Sequence, residues 1–198
     1  TLESIVKLIK DRVMSGHSVV RLHSGDLTLY SAIYEQITLL SKENIQVELI
    51  PGISAFQAAA AKISAELTIP QLVQTIILTR VDGVASQMPS SEKLDKLAAH
   101  QSSLCLYLAA RHAEKSQIEL LKHYPSDTPV AICFRVSWPD EVIKIVPLEK
   151  MAEVTQKEKL VRTTLYIISP ALKKNIDTRS KLYHPDYNHL FRPEKKNI

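Results

Sequence analysis

The chain has 198 residues, of which 45% are hydrophobic and 23% are charged, and its formal net charge is +4. This balance is typical of a globular protein with a buried core and excludes a chain that is disordered throughout. The basic residues are scattered and form no stripe, so the charge pattern gives no support to nucleic-acid binding.

The positions of the cysteines and of the apolar runs bear on whether the protein binds a metal or a membrane. Cys105 and Cys133 each lie inside an apolar run, which predicts buried, reduced thiols. No metal-binding spacing of cysteines or histidines occurs in the sequence. No apolar run approaches the roughly 20 residues that cross a bilayer, and residues 1–16 do not form a signal peptide. These patterns predict a cytoplasmic protein with no metal, no nucleic-acid partner and no membrane contact.

The first part of the chain alternates between helix-like and strand-like segments. In residues 2–15 the apolar positions recur at helical spacing, and Gly16 follows as a helix terminator. Ser54 precedes an alanine-rich stretch and is expected to cap its helix. The predicted helices are 2–15, 29–41 and 54–63, and the predicted strands are 18–23 and 47–50.

A second series of such segments begins after Pro70, so a domain boundary is expected near residues 68–74. The predicted strands here are 75–79, 104–108, 129–135, 142–147 and 164–169, and the predicted helices are 91–100, 113–123 and 148–157. The alternation predicts an α/β fold with seven or eight strands in the whole chain. The predicted organisation is an N-terminal α/β domain (1–70), a C-terminal α/β domain (71–172) and an extended, partly mobile tail (173–198).

Three loops follow apolar strands, which is where open α/β sheets bind ligands. In the first, Gly25 permits a tight turn, and Asp26 either accepts hydrogen bonds from a ribose diol or an ammonium group, or caps the next helix. The second loop, residues 51–55, is either a ligand-facing turn or an ordinary strand-to-helix turn. In the third, Arg80 either anchors a substrate carboxylate or pairs with Asp82 at the surface.

Residues 134–141 contain Trp138, the only tryptophan, close to Arg135. The indole either stacks on a large conjugated ligand or anchors the core, and the sequence does not decide between the two. The sequence has no GxGxxG, P-loop, HExxH or GxSxG motif, so dinucleotide, P-loop nucleotide, zinc-protease and serine-hydrolase sites have no support. Composition and periodicity alone therefore indicate a soluble α/β protein and leave its activity open.

Read together, the segments resemble one family. The order of VVRLHSGDLTLYSAIYEQ, ELIPGISAFQAAAA, ELTIPQLVQTIILTR, DTPVAICFRVSWPDE and RTTLYIIS is similar to that of the tetrapyrrole methylases. Within that family, ELTIP, the SWPDE segment and the tail RSKLYHPDYNHLFR resemble the branch that methylates carbon 11 of precorrin-4 or cobalt-precorrin-4. The resemblance covers almost all 198 residues, and several motifs in fixed order are more specific than any one of them.

The resemblance implies a class III C-methyltransferase of cobalamin (vitamin B12) biosynthesis that uses S-adenosyl-L-methionine and releases S-adenosyl-L-homocysteine. It also implies two α/β domains with the cofactor in the cleft between them, a homodimer, and a corrinoid tetrapyrrole as substrate. The implied cofactor contacts are Ser24, Gly25, Asp26, Leu29, Ser54, Ala55, Tyr107, Leu108, Val136, Thr163 and Thr164. Because this substrate carries carboxylates, Arg80 and then Arg135 are the expected anchors for it. No residue is singled out as a general base.

The chain also departs from the family pattern. The family begins with a strand and a GPGDP-type loop, whereas Thr1 lies inside the segment that resembles the following helix, which predicts an N-terminally truncated chain. Leu27 stands where proline is usual, and Ser31 stands where glycine is usual. Two alternatives stay open: a methylase of the uroporphyrinogen-III type, and a truncated, non-catalytic chain that binds a tetrapyrrole or a partner.

Overall fold

The computed structural model describes residues 1–83, 87–173, 180 and 187. The chain divides into two compact units, Thr1–Ala58 and Ala59–Ile198, and each is described by itself. The first unit ends earlier than the boundary expected near residues 68–74, and the three-part domain organisation stays a prediction. The predicted tail, 173–198, lies outside the described residues except for Lys173, Ser180 and Tyr187.

Helices dominate the first unit. Helix α1 (Leu2–Met14) begins after Thr1, whose Oγ1 accepts a hydrogen bond from the Ser4 N–H at 3.3 Å. It ends where Gly16 takes a left-handed φ of +80° and donates its N–H to the Val13 carbonyl oxygen at 2.9 Å. Helices α2 (Ile33–Lys42) and α3 (Ala55–Lys62) follow along the chain. The three helices predicted for this part of the sequence are confirmed, with α2 starting later than expected.

The late start of α2 has a local cause. Tyr30 and Ala32 have left-handed φ values of 58° and 52°, which a right-handed helix excludes. The residues before them form a turn in which the Leu29 N–H donates to the Asp26 carbonyl oxygen at 3.3 Å. The predicted helix over 29–41 is therefore wrong in its first turn and confirmed from Ile33 onward.

The two strands predicted for the first unit, 18–23 and 47–50, are wrong, because both segments are irregular in the structure. Their apolar side chains face solvent, with Val20 82%, Leu22 88% and Ile50 65% exposed. A strand forms only where a neighbour takes up its main-chain N–H and C=O groups, and the described chain offers neither segment such a neighbour. Residues 1–83 and 87–173 therefore contain five strands rather than seven or eight.

The five strands form one sheet in the second unit, in the order β1-β2-β5-β3-β4. They are β1 (Ile76–Arg80), β2 (Ser103–Tyr107), β3 (Pro129–Phe134), β4 (Val142–Pro147) and β5 (Thr164–Ile168). Strands β1 and β2 are parallel, and every other neighbouring pair is antiparallel. These strands confirm the five predicted for this half, and the mixed sheet with its helices confirms the α/β fold class.

Three short helices cover the sheet: α4 (Leu94–Ala98), α5 (Ala113–Leu121) and α6 (Met151–Lys157). They are shorter than predicted, because 3-10 turns at Ser90–Glu92 and Leu148–Lys150 replace the first turns of two of them. The buried core alternates along the strands with a period of two residues, as expected for one face of a sheet. Its fully buried members include Leu104, Leu106, Leu120, Val130, Ile132, Leu148, Met151, Tyr166 and Ile168.

The two cysteines lie on the central strands, and both are buried free thiols, as predicted. Burial raises the pKa of Cys105 and of Cys133 to about 12 each. Neither thiol forms appreciable thiolate near neutral pH, so both act as packing groups of the core rather than as nucleophiles.

Candidate functional site

In the first unit, the loops at Gly25 and Gly52 touch each other. A β-carbon built on Gly52 would lie 2.2 Å from the Gly25 carbonyl oxygen, so only glycine fits at this contact. Gly25 has a left-handed φ of +69° and lies beside the main chain of Ile53 and Ala55. The two loops were singled out from the sequence separately, and the structure brings them together.

The carboxylate of Asp26 is partly committed to its own loop. Its Oδ1 accepts hydrogen bonds from the Thr28 hydroxyl at 2.6 Å and from the Thr28 N–H at 2.7 Å. These two bonds hold the pKa of Asp26 below its usual range, and the bond from the Thr28 hydroxyl has the larger effect. Asp26 therefore closes a turn and does not cap α2, whose N-terminal neighbour is Ala32. Within the described chain both bonds end on Oδ1, which leaves Oδ2 as an acceptor for a ligand.

The start of α3 lies next to these loops. Ser54 is buried, and its backbone N–H donates to Gln57 Oε1 at 3.0 Å, which is the return half of a capping box. The Ser54 carbonyl oxygen accepts from the N–H groups of Gln57 and Ala58 at 3.0 and 3.1 Å. Ser54 thus directly precedes the first residue of α3, which is the position predicted for its cap. The neighbouring loop is closed by Ser31, whose hydroxyl donates to the Leu27 carbonyl oxygen.

In the second unit, one edge of the sheet gathers the other predicted residues. Arg80 at the end of β1 is in register with Tyr107 at the end of β2. Strand β5 runs the opposite way, so its first residue, Thr164, lies at the same edge and pairs with Phe134 at the end of β3. The Arg135 N–H continues this pairing by donating to the Thr163 carbonyl oxygen at 2.9 Å. This edge therefore carries the ends of four different strands.

Left-handed backbone conformations accumulate at the same edge. Leu108 has φ 55°, Arg135 φ 47°, Ser137 φ 71° and Thr163 φ 57°. Each such conformation costs a residue with a side chain roughly 1–2 kcal/mol, and strained residues of this kind cluster at ligand sites. Leu108 is also 68% exposed, although it is a large apolar residue. Because none of the four is glycine, their conformation could not be predicted from the sequence.

An open pocket follows β2 along the chain. It has a volume of about 520 Å³ and is lined by residues 110–115 together with Gln156 and Val161. Leu108 and Ala109 precede the first lining segment in the chain, and Arg162 and Thr163 follow Val161. Thr164 is buried, and its hydroxyl donates to the Leu160 carbonyl oxygen at 2.9 Å. Two of the segments expected to line an adenine site, those of Leu108 and Thr163, are thus neighbours in the chain of the residues that line the pocket.

In the third predicted loop, Arg80 and Asp82 form hydrogen bonds with different partners. The guanidinium of Arg80 donates through Nη1 to the Val81 carbonyl oxygen at 3.1 Å, and Arg80 is half-buried. The carboxylate of Asp82 accepts from the Met88 N–H at 2.6 Å. Asp82 is therefore engaged by its own loop. Residues 84–86 of that loop lie outside the described chain.

The loop after β3 resolves the two roles considered for Trp138. The residue is 54% exposed, so it is not a core anchor. The guanidinium carbon of Arg135 lies 4.3 Å from the centroid of the indole ring, and the guanidinium also pairs with Asp140. Val136, between these partners, is half-buried. Arg135 is thus held by a ring and a carboxylate of its own loop.

The structure gathers Ser24, Gly25, Asp26, Leu29, Ser54 and Ala55 in the first unit. It gathers Arg80, Tyr107, Leu108, Arg135, Val136, Thr163 and Thr164 in the second. In the described parts of the chain, no cluster of three His, Cys, Asp or Glu side chains could hold a metal ion. No helix among the same residues has the length and hydropathy to cross a membrane.

The sequence is similar to a known enzyme family along most of its length. Residues 1–152 match the family model of the tetrapyrrole (corrin/porphyrin) methylases. The chain is 41% identical over 198 residues to the cobalt-precorrin-4 C(11)-methyltransferase of Methanocaldococcus jannaschii, covering 100% of this chain and 76% of that protein. It is 39% identical over 192 residues to the precorrin-4 C(11)-methyltransferase of Pseudomonas aeruginosa, covering 97% of this chain and 76% of that protein.

Solved structures give the same answer for the fold. The X-ray structure of a cobalamin biosynthetic enzyme, cobalt precorrin-4 methyltransferase, matches with a TM-score of 0.84 and 36% identity, covering 87% of this chain and 72% of that one. Uroporphyrin-III C-methyltransferase from Thermus thermophilus, in complex with S-adenosylhomocysteine, matches with a TM-score of 0.69 over 86% of this chain and 74% of that one. At 23% identity, the second match bears on the fold alone. On sequence and on structure, this chain belongs to the tetrapyrrole (corrin/porphyrin) methylases.

Proposed function

We propose that this chain catalyses S-adenosyl-L-methionine-dependent methyl transfer to carbon 11 of precorrin-4 or cobalt-precorrin-4, in cobalamin biosynthesis. The observation that carries the proposal is the 41% identity to a cobalt-precorrin-4 C(11)-methyltransferase over all 198 residues. The solved cobalt precorrin-4 methyltransferase, at 36% identity and a TM-score of 0.84, supports it further.

A uroporphyrinogen-III methylase is the alternative within the family. The siroheme synthase of Actinobacillus pleuropneumoniae is 31% identical over 156 residues, which cover 78% of this chain and 32% of that protein. The uroporphyrin-III C-methyltransferase structures are 21–23% identical. Higher identity over more of the chain favours carbon 11 as the target.

We assign the methionine and ribose parts of the cofactor to the first unit. When bound, S-adenosyl-L-methionine supplies an electrophilic methyl group; the residues fit its polar parts. The open Oδ2 of Asp26 is an ionised acceptor for a ribose hydroxyl or the ammonium group. The contact between Gly25 and Gly52 holds Ser54 and Ala55 beside the same loop.

We assign the adenine part of the cofactor to the edge of the sheet in the second unit. Leu108 and Thr163 are exposed there in strained conformations, and Tyr107 and Val136 are half-buried. Apolar and aromatic side chains at a strand end suit the flat faces of a purine. Arg80 is assigned to a carboxylate of the corrinoid substrate, because a guanidinium binds a carboxylate with two parallel hydrogen bonds. Arg135, the second anchor expected from the sequence, is already paired with Asp140 and is left out of this assignment.

The residues at these two sites do not include a group with the features of a general base. The lowered pKa of Asp26 makes its carboxylate a poor proton acceptor, and the buried thiols stay protonated. The protein's contribution to the proposed reaction is therefore alignment of the two reactants and exclusion of water. We further propose that the enzyme is cytoplasmic and that it acts as a homodimer. Sedimentation velocity of the purified chain tests the homodimer.

Isothermal calorimetry with S-adenosyl-L-homocysteine tests the proposal most simply. A one-to-one complex with this chain supports methyltransferase function. A chain that binds uroporphyrin but not the nucleoside supports the alternative of a non-catalytic tetrapyrrole-binding protein instead.

A further inference from the structure

Residues 135–141 form a loop with few degrees of freedom, here called the tryptophan loop. The backbone N–H of Trp138 donates to the Arg135 carbonyl oxygen at 2.9 Å, and the backbone N–H of Glu141 donates to the Trp138 carbonyl oxygen at 3.1 Å. The Glu141 side chain closes the loop, because Oε2 accepts from the Ser137 N–H at 2.5 Å and Oε1 pairs with Lys62 at 3.4 Å. These contacts fix both ends of the loop and its middle.

The tryptophan loop presents an aromatic plane that its own structure does not bury. Trp138 is the only tryptophan of the chain, and 54% of it is exposed. Because the loop holds this large aromatic ring in solvent instead of folding it onto the sheet, the ring is available to stack against another molecule. Arg135 covers one face of the indole at 4.3 Å, which leaves the ring accessible from other directions.

The charges around the ring decide how Arg135 acts. Its guanidinium is already paired with Asp140 and stacked on Trp138. A guanidinium stacked on one face of an aromatic ring restrains the orientation of the ring and leaves the opposite face for another conjugated system. Arg135 also has a left-handed φ of 47° and donates its N–H to Thr163, so its backbone is fixed at the sheet edge that also carries Arg80.

We propose that the tryptophan loop is a preformed platform on which Trp138 stacks against the conjugated macrocycle of the tetrapyrrole substrate, with Arg135 and Asp140 as positioning residues that hold the indole. The proposal rests on the proposed function, since it takes a tetrapyrrole to be the substrate. It makes Arg80, rather than Arg135, the anchor of a substrate carboxylate. Trp138 then binds the macrocycle of the substrate, and Arg80 binds one of its carboxylates.

Titration of the chain with uroporphyrin III, a planar tetrapyrrole with carboxylate side chains, tests the platform. Because Trp138 is the only tryptophan, quenching of its emission reports on this one loop. Calorimetry then compares variants that have lost the fluorophore. We expect Trp138→Ala to weaken porphyrin binding at least about fivefold, the effect of losing one stacking contact. Trp138→Phe keeps an aromatic ring and should stay within about twofold of the parent.

Asp140→Asn separates the two roles of Arg135. If Arg135 only positions Trp138, the loss of its partner loosens the indole and weakens porphyrin binding. If Arg135 anchors a substrate carboxylate in competition with Asp140, the same variant frees the guanidinium and binding tightens, which would overturn the assignment. Arg135→Lys keeps the charge but not the planar stack, so the platform predicts weaker binding for it as well.

Tyr34→Ala is the matched control, because Tyr34 is a 79% exposed aromatic residue on α2. It should leave porphyrin affinity unchanged. Equal affinity of Trp138→Ala and the parent would overturn the platform, as would a change of oligomeric state in Trp138→Ala without a change in affinity. A parent chain that binds no porphyrin contradicts the platform too. If the same chain binds S-adenosyl-L-homocysteine, only the platform fails. If it binds neither compound, the proposed function fails as well.

Discussion

Gly52 packs against Gly25 so closely that a β-carbon on Gly52 would lie 2.2 Å from the Gly25 carbonyl oxygen. The neighbour is backbone, which cannot rotate away as a side chain would. The contact joins two loops that are well separated in sequence, and it fixes the position of Asp26 relative to Ser54. The geometry of the proposed methionine site therefore depends on the absence of a side chain at one residue.

Gly52→Ala is expected to separate these loops. Overpacking of this kind costs about 1–3 kcal/mol, so the free energy of unfolding should fall by that amount in urea titrations. Affinity for S-adenosyl-L-homocysteine should fall about tenfold or more, measured by calorimetry. Gly16→Ala is the control, because a β-carbon there meets nothing within 4 Å and pays only for the φ of +80°. A Gly52→Ala chain with parental affinity would contradict the role given to this contact.

Asp26→Ala should weaken binding of S-adenosyl-L-homocysteine more than Arg80→Ala does. Loss of a hydrogen bond to an ionised acceptor costs about 1.5–3 kcal/mol, or roughly ten- to a hundredfold in affinity. Arg80 is assigned to the substrate, so its loss should change cofactor affinity by less than about twofold. Thr28→Ala controls for collapse of the turn, since it removes the hydroxyl that Asp26 accepts from and keeps the carboxylate. The reverse order of the two variants would overturn the assignment of the two loops.

Leu108→Gly should uncouple stability from binding. The left-handed φ of 55° costs leucine roughly 1–2 kcal/mol, and glycine relieves it at an entropic cost of about 0.5–1 kcal/mol. The side chain is 68% exposed, so little packing is lost, and the free energy of unfolding should be unchanged or rise by up to about 1 kcal/mol. Cofactor affinity should nevertheless fall several-fold, because the side chain is assigned to the adenine site.

Lys159→Gly is the matched control for that variant, since Lys159 is also left-handed, with φ 55°, and exposed. It should be stabilised to a similar extent and keep full cofactor affinity. If Leu108→Gly also keeps full affinity, the strain at the end of β2 has no part in ligand binding.

The two buried thiols predict a pH dependence of stability. Burial raises the pKa of Cys105 and of Cys133 to about 12, from an ordinary value of 9.0. A raised pKa means that the folded chain favours the neutral thiol. The contribution is fully present below pH 9.0 and is lost as the pH rises toward about 12. Urea titrations should therefore show the free energy of unfolding falling over this alkaline range. The matched variant Cys105→Ala should show a shallower fall.

How far the sequence predicts the fold differs between the two units. The runs of β-branched and aliphatic residues around Leu104, Ile132 and Ile167 predict strands correctly, because each strand finds neighbours in one sheet. The runs around Val20 and Leu49 are also rich in β-branched and aliphatic residues, but they do not form strands, because strand propensity is a preference that only a neighbouring strand can satisfy. Periodicity therefore identified the candidates, and pairing decided which of them became strands.

The candidate site likewise contains residues that could be predicted from the sequence and residues that could not. Glycine and proline predicted the loops at Gly25 and Gly52, since these residues are the strongest local signals of a turn. The left-handed residues at Leu108, Arg135 and Thr163 gave no such mark, because ordinary side chains occupy positions that only the folded sheet imposes. Of the two roles predicted for Trp138, the exposure of the indole excludes that of a core anchor, and the stack of Arg135 on the ring was not predicted from the sequence.

One reaction tests the central claim most directly. The purified chain is incubated with cobalt-precorrin-4, or with precorrin-4 under anaerobic conditions, and with S-adenosyl-L-methionine that carries a carbon-13 label in its methyl group. The product is then analysed by nuclear magnetic resonance. The proposed function predicts one labelled methyl group, bonded to carbon 11. A label on another ring carbon, or transfer to uroporphyrinogen III alone, would contradict it.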